Sequence, residues 1–168
     1  PDLIVFEGSK IIRNNIFDIP KYGMLNVHLA ILPYLRGCSC MEWSIIEDFP
    51  IGVTCHYLIK DVDSGPIINR FELNYNSNDS YNILRTKLLY LAAFSIGDAV
   101  EKILNGFTKG TAYTNIKGPW YSPINDEEKI DFMKNKIENK TYTPKKIIDG
   151  ISIKKIDIDL IKKTVIEL

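Results

Sequence analysis

The chain has 168 residues, 45% hydrophobic and 25% charged, so it can form one domain with a substantial core and has the composition of a soluble globular protein. Its 21 basic and 21 acidic residues cancel, which disfavours nucleic acid and membrane surfaces as partners, because phosphate binding depends on an excess of Lys and Arg. The three cysteines are an odd number in a chain too large to need disulfides, and they favour a reduced, cytoplasmic protein.

The first half of the chain predicts strands and one short helix, separated by turn signals. Residues 3–6 and 24–30 are apolar runs typical of buried strands, and the Leu32-Pro33 step ends the second run. Residues 11–19 indicate an irregular or helical connection, and residues 39–47 a helix. Two further strands are predicted at 51–59 and 67–73, on either side of the turn-rich sequence KDVDSGP. This order of elements is typical of an α/β fold.

The second half begins with the longest predicted helix, which Asp79 or Ser80 caps and which ends near Leu104, before Asn105-Gly106. Its apolar residues recur at helical spacing and predict a buried stripe. A Gly-, Pro- and Tyr-rich stretch at 110–123 indicates a linker or an extended covering segment. After it we expect a polar helix at 126–138, a strand or hairpin at 147–156 and a short helix at 159–165. The sequence therefore predicts an α/β domain over 1–112 and a linker with a small α+β segment over 113–168.

Two polar residues stand in the second predicted strand, and residues two apart on a strand share a face. Asn26 and His28 are therefore neighbours, although Asn and His are poor strand residues and are costly to bury without partners. An amide can donate to a developing oxyanion, and an imidazole can take or hold a proton near neutral pH. The pair indicates either a catalytic site or two satisfied core groups, and the loop with Pro33 that follows favours catalysis.

Several motifs in this order resemble the folate-dependent formyltransferases. They are N-V-H at 26–28, L-P at 32–33, R-G at 36–37 and D-V-D-S-G-P-I-I at 61–68, with agreement from PDLIV at the start and G-V-T-x-H at 52–56. The resemblance extends over residues 1–106. It implies a Rossmann-like formyltransferase fold with a mostly parallel sheet and flanking helices, whose N-terminal strands are missing here. It also implies transfer of a formyl group from 10-formyltetrahydrofolate to a primary amine, without a metal.

The resemblance assigns catalytic roles to Asn26, His28 and Asp63, with Asp61 as the competing carboxylate. An amine would attack the formyl carbon, and Asn26 would donate to the resulting oxyanion. His28 would assist Asn26 or accept the proton of the amine. Asp63 would orient His28, directly or through a water.

The resemblance also implies a pterin cleft between the end of the first strand and the loop before Asp63. The residues expected to bind the folate there are Phe6, Gly8, Ile11, Ile12, Tyr57, Asp61 and Val62. Tyr34 and Arg36 follow the catalytic strand, where the acceptor must approach, so they are predicted to bind substrate; Arg36 could instead brace the loop. His56 is predicted to be structural. Cys38 and Cys40 form a C-x-C, which is too weak a signal to predict a zinc site.

Two sequence segments look most like those of nucleotide-sugar N-formyltransferases. They are the loop H-L-A-I-L-P followed by RGCSCMEWS, and the stretch Y-S-P-I…E-K-I-D-F at 121–132. The expected acceptor is therefore a nucleotide-linked amino-deoxy sugar used for surface polysaccharides such as lipopolysaccharide, with no nucleic acid or membrane partner. We expect any homodimer contact on the C-terminal segment. The alternatives are glycinamide ribonucleotide formyltransferase, formyltetrahydrofolate hydrolase and a non-catalytic folate-binding module.

Overall fold

The computed structural model describes residues 1–6, 12, 16–107, 110–111 and 118–159. In this part of the chain the elements, in order, are β1 (Ile4–Phe6), β2 (Met24–His28), β3 (Arg36–Gly37), α1 (Cys40–Ile46), β4 (Gly52–Tyr57), β5 (Ile67–Asn74), α2 (Tyr81–Leu104), β6 (Trp120–Tyr121), α3 (Glu127–Glu138) and β7 (Lys154–Asp157). Of the predicted connection at 11–19, residues 12 and 16–19 are described, and residues 16–19 form an irregular turn. Residues 160–165 of the predicted helix at 159–165 lie outside the described residues.

A five-stranded sheet in the order β1-β2-β4-β5-β7 forms the centre of the described structure. The β1–β2 and β5–β7 pairs are parallel, whereas β4 runs antiparallel to both β2 and β5. The sheet is therefore mixed. The predicted α/β fold is confirmed, and each strand expected in the first half forms at its predicted position, although β5 extends one residue beyond its range, to Asn74.

The long helix α2 packs on the central strands β4 and β5. Ser80 caps it, because its hydroxyl accepts a hydrogen bond from the Ile83 backbone N–H at 3.4 Å. Most of the predicted apolar stripe is buried, namely Leu84, Leu88, Leu91, Ala92, Ala99 and Ile103. Burial of this stripe against the sheet forms much of the core. None of the described helices has the length and apolarity needed to cross a membrane.

The C-terminal segment packs directly on this domain. Helix α3 begins after its cap Asp126 and contacts α1, and β7 extends the sheet beside β5. Arg70 of β5 is fully buried and makes two hydrogen bonds of 2.7 Å to the Asp149 carboxylate. Part of the stretch at 110–123, expected to be a linker or an extended covering segment, is extended and forms the strand β6, which pairs with β3. The domain boundary at residue 112 stays a prediction.

Candidate active site

The end of β2 opens into a cleft of about 450 Å³. Asn26 and His28 reach it from β2, and Asp63 reaches it from the loop after β4. Val27, between the first two, is buried in the core, as the alternation of strand side chains requires. The three residues predicted to be catalytic are thus brought together at one cavity, although their chemical roles stay predictions.

A buried histidine holds Asn26. The Asn26 Nδ2 lies 3.2 Å from His56 Nε2, across the pair of strands β2 and β4. The other ring nitrogen, Nδ1, lies 2.9 Å from the Tyr57 carbonyl oxygen, which can only accept. Nδ1 therefore carries the proton and Nε2 accepts from Asn26. Burial, helped by the neighbouring His28, lowers the pKa of His56, so this ring stays neutral near pH 7.

Both ring nitrogens of His28 face acceptors. Nε2 lies 2.8 Å from the Leu35 carbonyl oxygen, to which it donates, and Nδ1 lies 3.7 Å from Asp63 Oδ1. The second distance is too long for a hydrogen bond but suits an ion pair. Nδ1 is therefore the nitrogen that can take up a proton, and the Asp63 carboxylate would stabilise the charge that results.

Two contacts from β3 fix the loop that carries Asp63. The Gly37 backbone N–H donates to Asp63 Oδ2 at 2.9 Å, and Arg36 Nη2 donates to the Val62 carbonyl at 2.6 Å. The loop also passes very close to β4, since a Cβ at Gly65 would collide with the Tyr57 carbonyl oxygen. Only glycine fits there, which explains its place two residues after Asp63.

The residues predicted to bind the folate fall into three groups. Phe6, Ile12 and Val62 line the cleft, together with the apolar Phe17, Leu58 and Ile59; we call these six residues the apolar lining. Gly8 and Ile11 lie outside the described residues. Tyr57 packs on a core cluster and Asp61 is exposed, and the described lining includes neither of them. Folate binding by this set of residues stays a prediction.

The two residues predicted to bind substrate contact other parts of the protein. The Tyr34 ring stacks on Phe49 with 5.5 Å between centroids. Arg36 is buried and braces the Asp63 loop through its bond to Val62. As far as the described residues go, neither side chain lines the cleft. The geometry favours the bracing role for Arg36, and substrate contact by either residue stays a prediction.

Sequence reasoning missed part of the cleft. Residues 37–42, Arg85 and Trp120 also line it, and we call them the α1 lining. Cys38 and Cys40 belong to it, and burial raises the pKa of the Cys40 thiol, which is therefore neutral. Trp120 was missed because it comes from the stretch expected to be a linker or an extended covering segment, to which no site residue was assigned. Its signal was an aromatic pair in a Gly- and Pro-rich segment.

Comparison with known proteins identifies the family. The profile described as formyl transferase matches residues 1–94, more than half of the chain. The chain belongs to the formyl transferase family. This confirms the resemblance to the formyltransferases, a family of enzymes that uses 10-formyltetrahydrofolate.

Individual formyltransferases differ in the acceptor that their names indicate. The methionyl-tRNA formyltransferase of Bacillus velezensis is 31% identical over 137 residues, which cover 80% of this chain and 43% of that protein. The chain thus spans less than half of this relative. The formyltransferase PseJ from Anoxybacillus kamchatkensis is 29% identical to this chain, with a TM-score of 0.66. The match covers 78% of this chain and 69% of PseJ, whose structure was solved with UDP-4,6-dideoxy-4-formamido-L-AltNAc and tetrahydrofolate. A sugar N-formyltransferase from Shewanella is 20% identical with a TM-score of 0.61, over 74% and 50% of the two chains, and shows a likeness of fold alone.

Proposed function

We propose that this chain carries the catalytic residues of an enzyme that transfers a formyl group from 10-formyltetrahydrofolate to the primary amine of a nucleotide-linked amino-deoxy sugar, for surface polysaccharides such as lipopolysaccharide. The observation that supports this most directly is the meeting of Asn26, His28 and Asp63 at one cleft. The apolar lining provides a surface suited to a pterin ring.

The first steps of the proposed formyl transfer can be assigned to these side chains. The amine nitrogen attacks the formyl carbon, and the carbonyl electrons move to oxygen, where the Asn26 amide donates a hydrogen bond. The Asn26 amide has two hydrogens, so one can serve the oxyanion while the other stays with His56. His28 Nδ1 takes the proton that the nitrogen loses, and Asp63 stabilises the imidazolium. The bond from carbon to N10 of the folate then breaks, N10 gains a proton, and tetrahydrofolate and the formamide leave.

Two observations support a sugar acceptor. PseJ, with 29% identity and the TM-score of 0.66, was solved with a UDP-linked formamido sugar. The net charge of zero also suits a small acceptor better than a nucleic acid. Transfer to methionyl-tRNA is the second candidate, because a methionyl-tRNA formyltransferase shares 31% identity over 80% of the chain.

The acceptor can be tested with the full-length enzyme and 10-formyltetrahydrofolate. The panel contains UDP- and dTDP-linked amino-deoxy sugars, glycinamide ribonucleotide, methionyl-tRNA and a reaction without amine, with tetrahydrofolate release and product mass as readouts. We expect a mass gain of one formyl group only on a nucleotide-linked sugar. Turnover restricted to methionyl-tRNA or glycinamide ribonucleotide would reject the proposed acceptor. Formate release without amine would identify a hydrolase, and folate binding without formyl loss a binding module.

A further inference from the structure

The α1 lining contains a large aromatic side chain that the catalytic chemistry does not use. Trp120 leaves 51% of its surface exposed in the described structure, and it lines the same cleft as Asn26 and His28. A tryptophan usually buries most of its surface, and one held open in a cavity offers a flat apolar face to a ligand. What distinguishes Trp120 from other exposed apolar residues is its place in the cleft, where its face is available to a ligand.

The backbone of β3 holds the indole in place. Trp120 pairs with Arg36, and Tyr121 with Gly37, in the parallel β3–β6 ladder. A Cβ at Gly37 would stand only 3.1 and 3.2 Å from two ring atoms of Trp120, so the indole packs against a backbone that has no room for a side chain. The Arg36 guanidinium lies 5.9 Å from the ring centroid.

Aromatic contacts behind β6 support this arrangement. The Tyr121 ring lies 4.8 Å from that of Trp43, whose Nε1 donates to the Ser122 carbonyl at 3.0 Å. The strand that carries Trp120 is thus anchored on the side of α1 as well as by β3. An aromatic surface held in this way is organised before its ligand arrives, which lowers the entropy lost on binding.

A cation completes the α1 lining. The side chain of Arg85 on α2 is 54% exposed, and its Nη1 lies 3.0 Å from Oε1 of Glu42, which also lines the cleft. Its guanidinium has several N–H donors and can bind a phosphate while it keeps a contact with Glu42. The cleft thus combines a site for an amine, a half-exposed guanidinium and a flat aromatic face.

We propose that the base of the nucleotide-linked acceptor stacks on Trp120, with Arg85 near its diphosphate and the sugar amine at His28. This inference rests on the proposed function and adds a base subsite to it. Stacking is tolerant of base identity, because every base has a flat face. Trp120 would accordingly strengthen nucleotide binding without deciding between a uracil and a thymine base.

The test measures the Kd of UDP and of dTDP by calorimetry in the full-length enzyme. Alanine substitution at a base-stacking aromatic weakens binding about tenfold or more, so we expect that loss in Trp120→Leu and affinity close to wild type in Trp120→Phe. Phe132→Leu is the matched control, because Phe132 on α3 is 52% exposed and lies outside the described lining of the cleft. Unchanged affinity for 5-formyltetrahydrofolate in Trp120→Leu verifies the fold.

The outcomes separate this inference from the proposed function. Equal nucleotide affinity in wild type and Trp120→Leu, or no nucleotide binding by the wild type, overturns the base subsite. If the wild type formylates nucleotide-linked sugars and Trp120→Leu keeps the same KM, the proposed function stands and the subsite falls. If nucleotides bind through Trp120 but only methionyl-tRNA or glycinamide ribonucleotide is formylated, the subsite stands and the proposed acceptor falls.

Discussion

Replacing Asp149 by Asn tests how firmly the C-terminal segment is joined to the sheet. The Arg70 side chain is fully buried and that of Asp149 is 3% exposed, so each charge depends on the other. Arg70 also donates to the Leu32 carbonyl at 2.9 Å and to the Ile151 carbonyl. Asp149→Asn keeps the shape but leaves the guanidinium without its counter-charge.

The expected loss follows from that burial. Breaking a buried ion pair by removing one partner costs about 3–5 kcal/mol, and since Asn keeps one acceptor we expect the lower end, about 3 kcal/mol. Urea unfolding followed by circular dichroism measures it as a lower midpoint. The matched control is Asp131→Asn, whose pair with Lys134 is exposed and 3.9 Å long, with an expected loss below about 0.5 kcal/mol.

The same variant has a defined pH dependence. Burial raises the pKa of the Asp149 carboxyl, but the hydrogen bonds from Arg70 and from the Ile151 backbone N–H, together with the charge of Arg70, outweigh it, and the net pKa is lowered. A carboxyl with a lowered folded pKa contributes stability that is present above its unfolded value, about 3.9, and is lost as the pH falls through the folded value. The difference in free energy of unfolding between the wild type and Asp149→Asn should therefore become smaller below about pH 4. A gap below 1 kcal/mol at pH 7 would refute the reasoning.

Three further changes test neighbouring parts of the structure. His56→Leu removes the acceptor that holds Asn26, so kcat should fall about tenfold while folate affinity is kept, and equal kcat values would contradict the role of this contact. Because burial lowers the pKa of His56, the wild type should also lose more stability than the variant as the pH falls below about 6.5. Gly65→Ala should lower the free energy of unfolding by about 1–3 kcal/mol through its clash with the Tyr57 carbonyl, and a neutral result in urea would show that the loop yields. Ser80→Ala should cost about 1 kcal/mol by removing the α2 cap, whereas an unchanged melting temperature would mean that the cap contributes nothing.

The sequence predicted what depends on local pattern. Side chains two residues apart on a strand share a face, which predicted that Asn26 and His28 are neighbours. Apolar residues at helical spacing, with a cap at Ser80, predicted α2. Asp63 could be assigned only through the resemblance, since its approach to His28 depends on how β4 folds back beside β2. His56, expected to be structural, contacts Asn26 directly, and a strand pattern alone does not reveal which residues face each other.

The rest depends on contacts between distant parts of the chain. Arg70 and Asp149 are 79 residues apart, and local propensity carries no information about such a pair. The β3–β6 ladder is only two residues long, too short for a periodic signal, yet it brings Trp120 to the cleft. The antiparallel pairing of β4 was missed for a similar reason, because buried strands look alike in sequence whichever direction they run.

The most direct test of the central claim is the single-turnover rate of formyl transfer in Asn26→Ala, with 10-formyltetrahydrofolate and a UDP-linked amino-deoxy sugar. The proposed role of Asn26 is to donate a hydrogen bond to the oxyanion, and loss of one oxyanion donor lowers the rate about 10²–10³-fold. We expect that loss together with folate affinity and a melting temperature close to those of the wild type. A rate within a factor of three of the wild type would contradict the assignment of this cleft as the formyl-transfer site.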